Sequence, residues 1–179
     1  KLNPMAKWSD GEPVTADDVV YTFEGQRQYE TLPYHTQFSD LVDTITKVDD
    51  LTVEVTFTQS APRFKFEVLT EKFDTGIPIV PEHYLSQQED PTKDPGLADM
   101  PHSGPYDIVA WNANQKILDL RDDWWAVEAG RIEQPQVQRV VVVNILNQPI
   151  DTVAQRLVNN EFDSSVDMRA QIIGNILQQ

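Results

Sequence analysis

The stretch that most constrains the fold of this chain is residues 7–23, KWSDGEPVTADDVVYTF. Asp10 and Gly11 are a turn dipeptide, because glycine adopts a positive φ at low cost and the aspartate carboxylate can bond the backbone that follows it. Thr15 has the position of a helix N-cap, and Asp18 stands three residues later, where it can complete a capping box. The stretch therefore predicts a tight turn that leads directly into a well-capped helix.

Hydrophobic spacing in the first half of the chain predicts short strands and helices. The expected elements are a helix at 15–29 weakened by Gly25, a connection at 31–36, a hairpin with strands at 41–48 and 51–57, a helix at 61–69, and a helical turn at 82–85 opened by Pro81. In the second strand of the hairpin, alternation places four side chains towards a core: Leu51, Val53, Val55 and Phe57. Residues 87–101 are polar and rich in proline, which predicts a surface loop.

The second half predicts another hairpin and a buried strand. The expected elements are strands at 107–111 and 116–121, a strand at 137–145 buried on both faces, a helix at 150–159 with Val153, Leu157 and Val158 inward, a strand at 164–166 and a helix from 169 onwards. Strands and helices are mixed without a strict β-α-β rhythm, so the fold class is α/β in the mixed α+β sense.

Composition limits the partners that such a chain can have. The 179 residues include 29 acidic and 14 basic side chains, for a net charge of -15, and 40% of the residues are hydrophobic. A chain of this length can bury one sizeable core, or a larger lobe with a small satellite. A surface this negative repels phosphate backbones and anionic lipid, so no nucleic-acid or membrane-surface role is expected.

The chain has no cysteine, which removes disulfides, thiolate metal sites and thiol nucleophiles. The longest apolar run is residues 140–143, far below the length that a bilayer requires, and neither end has the pattern of a signal peptide. Because the chain begins at Lys1 rather than at a methionine, we expect a piece of a longer protein.

Five motifs along the chain resemble those of one family. They are WSDGEPVTADDVV at 8–20, IVPEH at 79–83, SGPY at 103–106, RDDWW at 121–125 and LVNNEFD at 157–163. Together, and in this order, they resemble the family 5 extracytoplasmic solute-binding proteins of ABC importers, the dipeptide, oligopeptide and nickel-binding group. Trp124 stands where the family has tyrosine, and Asn160 where it has glycine, a mild change at a left-handed helix end.

The resemblance implies a two-lobed fold of the type II, cluster C periplasmic binding proteins that closes on its ligand. Residues 1–179 would be part of the first lobe, with 15–102 as an inserted subdomain and 103–179 returning to the main sheet. The function implied is capture of an oligopeptide or oligosaccharide in the periplasm or at the external face of the membrane, by a monomer without cofactor, for delivery to permease subunits. The motif residues with structural roles would be Trp8, Asp10, Gly11, Thr15, Asp18, Gly104, Pro105, Tyr106, Arg121 and Trp125.

Candidate ligand-binding residues come from the segment after the first helix. Pro33-Tyr34 matches the place where peptide-binding members of the family present an aromatic side chain to the ligand, and His35 stands beside it. Trp124 and Trp125 could stack on sugar rings, although the family uses this pair to pack the lobe. The three histidines have no metal-binding spacing, so no metal site is expected.

Two other functions are compatible with parts of the sequence. Paired carboxylates at 17–18, 49–50 and 122–123 could serve glycoside hydrolysis, but adjacent residues do not face each other across a substrate. The motifs of serine hydrolases, zinc proteases and phosphate loops are absent from the sequence. An acidic protein-interaction module is the third possibility, and it requires a partner with a basic patch.

Overall fold

A computed structural model describes residues 1–70, 76–93, 99–145 and 148–164. Within these ranges it contains the helices α1 (Ala16–Gln28), α2 (His35–Leu41), α3 (Phe64–Val68), α4 (Glu82–Leu85), α5 (Trp125–Glu128) and α6 (Ile150–Val158). The strands are β1 (Val42–Asp49), β2 (Thr52–Phe57), β3 (Tyr106–Trp111), β4 (Gln115–Leu120) and β5 (Arg139–Val143). The mixed α/β class is therefore confirmed. None of the described helices is long and apolar enough to cross a membrane.

Helix α1 begins where its capping signals predict. The backbone N–H of Thr15 donates to the Asp18 carboxylate over 2.7 Å, and the Thr15 hydroxyl accepts from the N–H of Asp17 over 3.3 Å. The helix ends at Gln28 and is followed by the C-cap Tyr29, whose N–H donates to the carbonyl of Gly25. Its buried face carries Val19 and Phe23 towards the hydrophobic core.

The core of the first half lies between α1, α2, α3 and the hairpin. β1 and β2 pair antiparallel, and Val53 and Val55 pack against the cluster formed by Val19, Phe23, Phe38, Val42, Phe64, Val68 and Ile77. Phe57, which was also predicted to face this core, meets it at its edge and is 37% exposed. Phe57 is the last residue of β2, and the ring of Phe64 meets it edge-on at 4.9 Å on one side.

Helix α2 lies where we expected a connection and the start of a strand. Its sequence, HTQFSDL, has no N-cap signal and no side-chain cap bond. The helix is instead positioned by Phe38, which is fully buried, with ring centroids 5.2 Å from Phe23 and 5.3 Å from Phe64. Tertiary packing of one aromatic residue therefore overrides a weak local preference.

The second sheet has three antiparallel strands in the order β3-β4-β5. A register shift between Ile108 and Ala110 marks a bulge in β3. The expectation that the strand at 137–145 is buried on both faces is wrong, since Val141 is 49% and Val142 51% exposed. β5 is an edge strand in the described part of the chain, where it pairs with β4 alone.

Helix α6 forms as predicted, with Val153 and Ala154 buried and Leu157 packed beside them. The inward position predicted for Val158 is wrong, because this side chain is 39% exposed. Val158 is the last residue of α6 and lies about 100° around the helix from Leu157, at the border of the buried face. The predicted strand at 164–166, apart from Ser164, and the helix from 169 lie outside the described residues, as do residues 94–98 of the predicted loop.

Candidate ligand-binding site

The turn at residues 8–11, which we call the signature turn, has the conformation that its sequence predicts. Gly11 has a φ of 92°, where a side chain would strain the backbone. The N–H of Gly11 donates to the carbonyl of Trp8 over 3.1 Å, and the N–H of Trp8 donates to the carbonyl of Glu12 over 2.8 Å. The Asp10 carboxylate accepts from the N–H of Glu12 over 3.1 Å.

Asp18 connects the signature turn to two helix starts. Its carboxylate accepts from the Trp8 indole N–H over 3.3 Å, from the Thr15 N–H over 2.7 Å and, through the other oxygen, from the N–H of Glu82 over 2.9 Å. The residue is 3% exposed. A buried carboxylate is stable when donors satisfy it, so Asp18 holds the turn, α1 and α4 in one arrangement.

A side-chain hydrogen bond adds a second connection between the signature turn and α4. Nε2 of His83 lies 2.8 Å from the Asp10 carboxylate. Burial raises the pKa of Asp10, but the hydrogen bonds from His83 and from the Glu12 N–H outweigh this effect and leave the pKa below its ordinary value. The ionised form of Asp10 is therefore the form that the fold favours.

Arg121 organises the segment that leads into the second sheet. Its side chain is buried and donates to the Gly104 carbonyl over 3.3 Å and to the Asp123 carboxylate over 3.1 Å. Its backbone N–H donates to the carbonyl of Pro105 over 2.9 Å. The hydroxyl of Tyr106 donates to the Val137 carbonyl over 2.9 Å, which ties β3 to the segment before β5.

Both tryptophans of the RDDWW motif bond the same atom. The indole N–H groups of Trp124 and Trp125 donate to the carbonyl of Ser103 over 2.9 and 3.1 Å. Trp125 also packs against the cluster that contains Trp8. These contacts are those of a packing pair, and they leave neither indole N–H free for a sugar.

Tyr34 and His35, the predicted ligand-binding residues, lie at the start of α2. The hydroxyl of Tyr34 accepts from the N–H of Gly76 over 2.6 Å. Nδ1 of His35 lies 3.0 Å from the carbonyl of Gln26, and since a carbonyl only accepts, Nδ1 is the donor. Nε2 is then free to accept from the Ser39 hydroxyl at 3.4 Å.

Tyr34 lines a cavity of about 360 Å³ beside α1. We call it the tyrosine cavity, because Tyr21, Tyr29 and Tyr34 form its walls together with Leu32, Ile77 and Leu85. This volume is within the range of small-ligand sites. Sequence reasoning missed Tyr21 and Tyr29. Their spacing was the available signal, since residues 21, 25 and 29 share one face of a helix.

The described residues show no cluster suited to metal binding. No group of three His, Asp or Glu side chains in them could hold a metal ion. His102 is bonded to Asp107 over 3.0 Å. Of the paired carboxylates, Asp18 serves the helix cap, and Asp49 accepts the N–H of Leu51 over 2.8 Å in the hairpin turn.

Comparison with known proteins decides the family. The sequence model of the bacterial extracellular solute-binding proteins, family 5, middle region, matches residues 1–178. The chain belongs to this family. Family 5 proteins are solute-binding proteins and not enzymes, and those found as relatives include periplasmic ones. The resemblance drawn from the five motifs is therefore confirmed.

Individual relatives bear different names. The peptidoglycan-binding protein YepA of Agrobacterium fabrum is 36% identical over 125 residues, which are 69% of this chain and 19% of YepA. The periplasmic oligopeptide-binding protein OppA of Salmonella typhimurium is 28% identical over 142 residues, which are 69% of this chain and 25% of OppA.

A solved structure extends the likeness over most of the chain. The mannohexaose-bound periplasmic oligopeptide-binding protein of an oligopeptide ABC transporter from Thermotoga maritima matches with a TM-score of 0.75 and 25% identity, over 96% of this chain and 30% of that one. The fold is thus that of the type II periplasmic binding proteins of family 5. The chain spans about a fifth to a third of the length of these relatives.

Proposed function

We propose that this chain is part of the substrate-binding component of an ABC importer, and that the solute it captures is an oligopeptide. The observation that carries the place in an ABC importer is the match to the Thermotoga maritima protein of an oligopeptide ABC transporter, over 96% of the chain at a TM-score of 0.75. The 28% identity to OppA agrees with a peptide solute. The tyrosine cavity supplies the apolar and aromatic surface that peptide side chains need.

Peptides released from cell-wall material are the first solutes to test. The reason is the relative YepA, which is named a peptidoglycan-binding protein and is 36% identical to this chain. Peptidoglycan joins short peptides to glycan strands, so its fragments present both chemical classes. An oligosaccharide is the second candidate, because the Thermotoga maritima protein of the same family was solved with mannohexaose bound.

The mechanism that we propose is closure of two lobes around the solute. Ligand would select the closed form, and the closed form would dock on the permease subunits. Residues 15–102 would be an inserted subdomain of the first lobe and 103–179 part of its main sheet, which agrees with the two separate sheets. The whole protein would act as a monomer in the periplasm or at the external face of the membrane, anchored there by lipid in the second case.

Tyr34 and His35 are proposed as ligand-binding residues. The Tyr34 hydroxyl accepts one bond from Gly76, and its own O–H can still donate to a carbonyl of a peptide. His35 holds the carbonyl of Gln26, so its contribution would be to position the Tyr34 segment against α1.

The test is a calorimetric and thermal-shift screen of the full-length protein. The ligands are di- to pentapeptides, muropeptides, and β-linked gluco- and manno-oligosaccharides, with Tyr34→Phe and Tyr34→Ala alongside. A ligand at a hundredfold excess over its Kd stabilises the native state by about 2.7 kcal/mol, which a thermal shift resolves.

Each outcome of the screen has a consequence. Saturable binding of peptides without their turnover supports the proposal, and weaker binding by Tyr34→Phe places that hydroxyl at the ligand. Binding of oligosaccharides but not of peptides would contradict the peptide proposal and favour an oligosaccharide as the solute. Consumption of a ligand would contradict a binding protein, and binding of neither class would contradict both solute proposals.

A further inference from the structure

The tyrosine cavity has a feature that packing does not explain. Gly25 lies in the middle of α1 and lines the cavity. A Cβ atom at this position would meet no heavy atom within 4 Å outside its own stretch of helix. Its φ is not in the left-handed region, so neither backbone conformation nor close contact requires glycine. Glycine weakens a helix relative to alanine. The remaining explanation for a glycine here is that the absence of a side chain leaves space in the cavity.

The walls of the cavity are suited to an apolar or aromatic group. Tyr21 and Tyr29 flank Gly25 at helical spacing, and Leu32 and Ile77 also line the cavity. Burial, followed by Tyr29 and Glu82, raises the pKa of Tyr21, so its hydroxyl remains a neutral donor. The wall segments are held in place, since Tyr34 bonds both Gly76 and, through its N–H, the side chain of Gln26.

The mouth of the cavity is acidic. The cavity adjoins a larger depression, which we take as its mouth and which shares Gln28, Tyr29, Pro91 and Thr92 with it. Glu30, Glu89 and Asp90 line this depression together with one cation, Lys93, which is paired with Asp90 at 3.1 Å. In the described part of the chain no ion pair reaches Glu30 or Glu89, so the depression attracts positive charge.

We propose that the tyrosine cavity is a side-chain subsite for a peptide that carries an aromatic or branched aliphatic residue next to a cationic group. The apolar side chain fills the space beside Gly25, and the cation lies between Glu30 and Glu89. The inference rests on the proposed function in one respect, because it takes the solute to be a peptide. It adds which peptides are preferred and which residues of this lobe select them.

The experiment is calorimetry on the full-length protein with three tripeptides, Ala-Phe-Lys, Ala-Gly-Lys and Ala-Phe-Glu. Wild-type protein is expected to bind Ala-Phe-Lys about tenfold or more tightly than either of the others, the discrimination that one side chain in an apolar pocket gives. Gly25→Leu fills the cavity and is expected to remove the preference for phenylalanine. Gly25→Ala is expected to raise the midpoint of thermal unfolding, because alanine lowers the conformational entropy of the unfolded chain.

The acidic mouth is tested separately. The double variant Glu30→Gln with Glu89→Gln is expected to lose the preference for Ala-Phe-Lys over Ala-Phe-Glu and the salt dependence of that preference. Glu54→Gln removes the same kind of charge from the exposed surface of β2 and is expected to change neither. If Gly25→Leu proves unstable, a benzophenone in place of the phenylalanine ring gives a second measurement, with photo-crosslinks expected at residues 21–34.

The outcomes separate the inference from the proposed function. Peptide binding with an unchanged preference for phenylalanine in Gly25→Leu, or crosslinks elsewhere, overturns the subsite and leaves the binding protein standing. Equal salt dependence in the double variant and in Glu54→Gln overturns the acidic mouth. Failure of the wild-type protein to bind any peptide overturns the peptide proposal and the subsite with it.

Discussion

At the residue scale, one buried carboxylate does more than its sequence position suggests. The spacing from Thr15 to Asp18 predicts a capping box, and the box is present. The same carboxylate also accepts from Trp8 and from Glu82, which stand 10 and 64 residues away in sequence. Those two contacts depend on how the segments meet in space, and no local pattern encodes them.

Replacement of Asp18 tests this role. Asp18→Ala leaves three N–H donors of a buried region without their acceptor, and we expect it to lower the free energy of unfolding by about 3 kcal/mol. Asp17→Ala is the matched control, because Asp17 is exposed and its bond to Lys47 is a surface ion pair, which contributes little to stability. Urea denaturation of the two variants measures the difference. Equal losses would contradict the connecting role of Asp18.

The hydrogen bond between Asp10 and His83 leads to a pH-dependent prediction. The pKa of Asp10 is lowered from 3.8 in the folded protein, so its contribution to stability is present above that pH and is lost as the pH falls through the folded value. His83→Gln removes a donor that lowers the pKa, and we expect the Asp10 pKa to rise towards 3.8. NMR titration of the Asp10 carboxyl carbon measures it. If the Asp10 carboxyl titrates at the same pH in His83→Gln and in the wild-type protein, His83 has no influence on the pKa of Asp10.

At the element scale, the sequence was most informative where the signal is local. Helix α1 and the two hairpins follow from a cap, alternation and turn residues close together in the chain. Helix α2 could not be predicted, because it is held by Phe38 against Phe23 and Phe64. The exposed faces of β5 contradict its apolar sequence for the same reason, since burial depends on neighbours. For the site, resemblance indicated Tyr34, whereas the cavity around it depends on segments at 76–80 and 91–92.

Helix α5 was also not predicted from the sequence. Its first residue, Trp125, provides a test of how this element is held. Trp125→Phe removes the bond to the Ser103 carbonyl and part of the contact with the cluster around Trp8. We expect a loss of about 1–2 kcal/mol in the free energy of unfolding and no change in the Kd for solute. Trp124→Phe loses the equivalent bond and is the control. A weakened Kd with unchanged stability would favour the sugar-stacking interpretation of this pair.

At the scale of the whole chain, charge is the dominant property. The net charge of -15 is not cancelled locally, although Lys47, Arg63, Arg121 and Arg139 each have a carboxylate within 4.0 Å. Because the chain has 29 acidic and only 14 basic side chains, pairing of the cations leaves a large excess of negative charge. The mutual repulsion of the carboxylates favours expansion, so screening by salt stabilises the compact state.

The response to salt is therefore predicted to have the opposite sign from that of a protein held by surface ion pairs. Raising the ionic strength from about 0.01 M to about 0.15 M shortens the Debye length from about 30 Å to about 8 Å. For the 179-residue chain we expect the unfolding midpoint to rise by about 2–4 °C, the shift that about 1 kcal/mol produces at this size.

Glu12→Lys with Glu54→Lys reverses two exposed charges and reduces the repulsion, so this variant should begin at a higher midpoint and gain less from salt. Sodium chloride and choline chloride at equal ionic strength should act alike, because screening does not depend on the identity of the cation. A midpoint that falls with salt would mean that the described ion pairs, rather than the excess of carboxylates, govern the electrostatic stability of this chain.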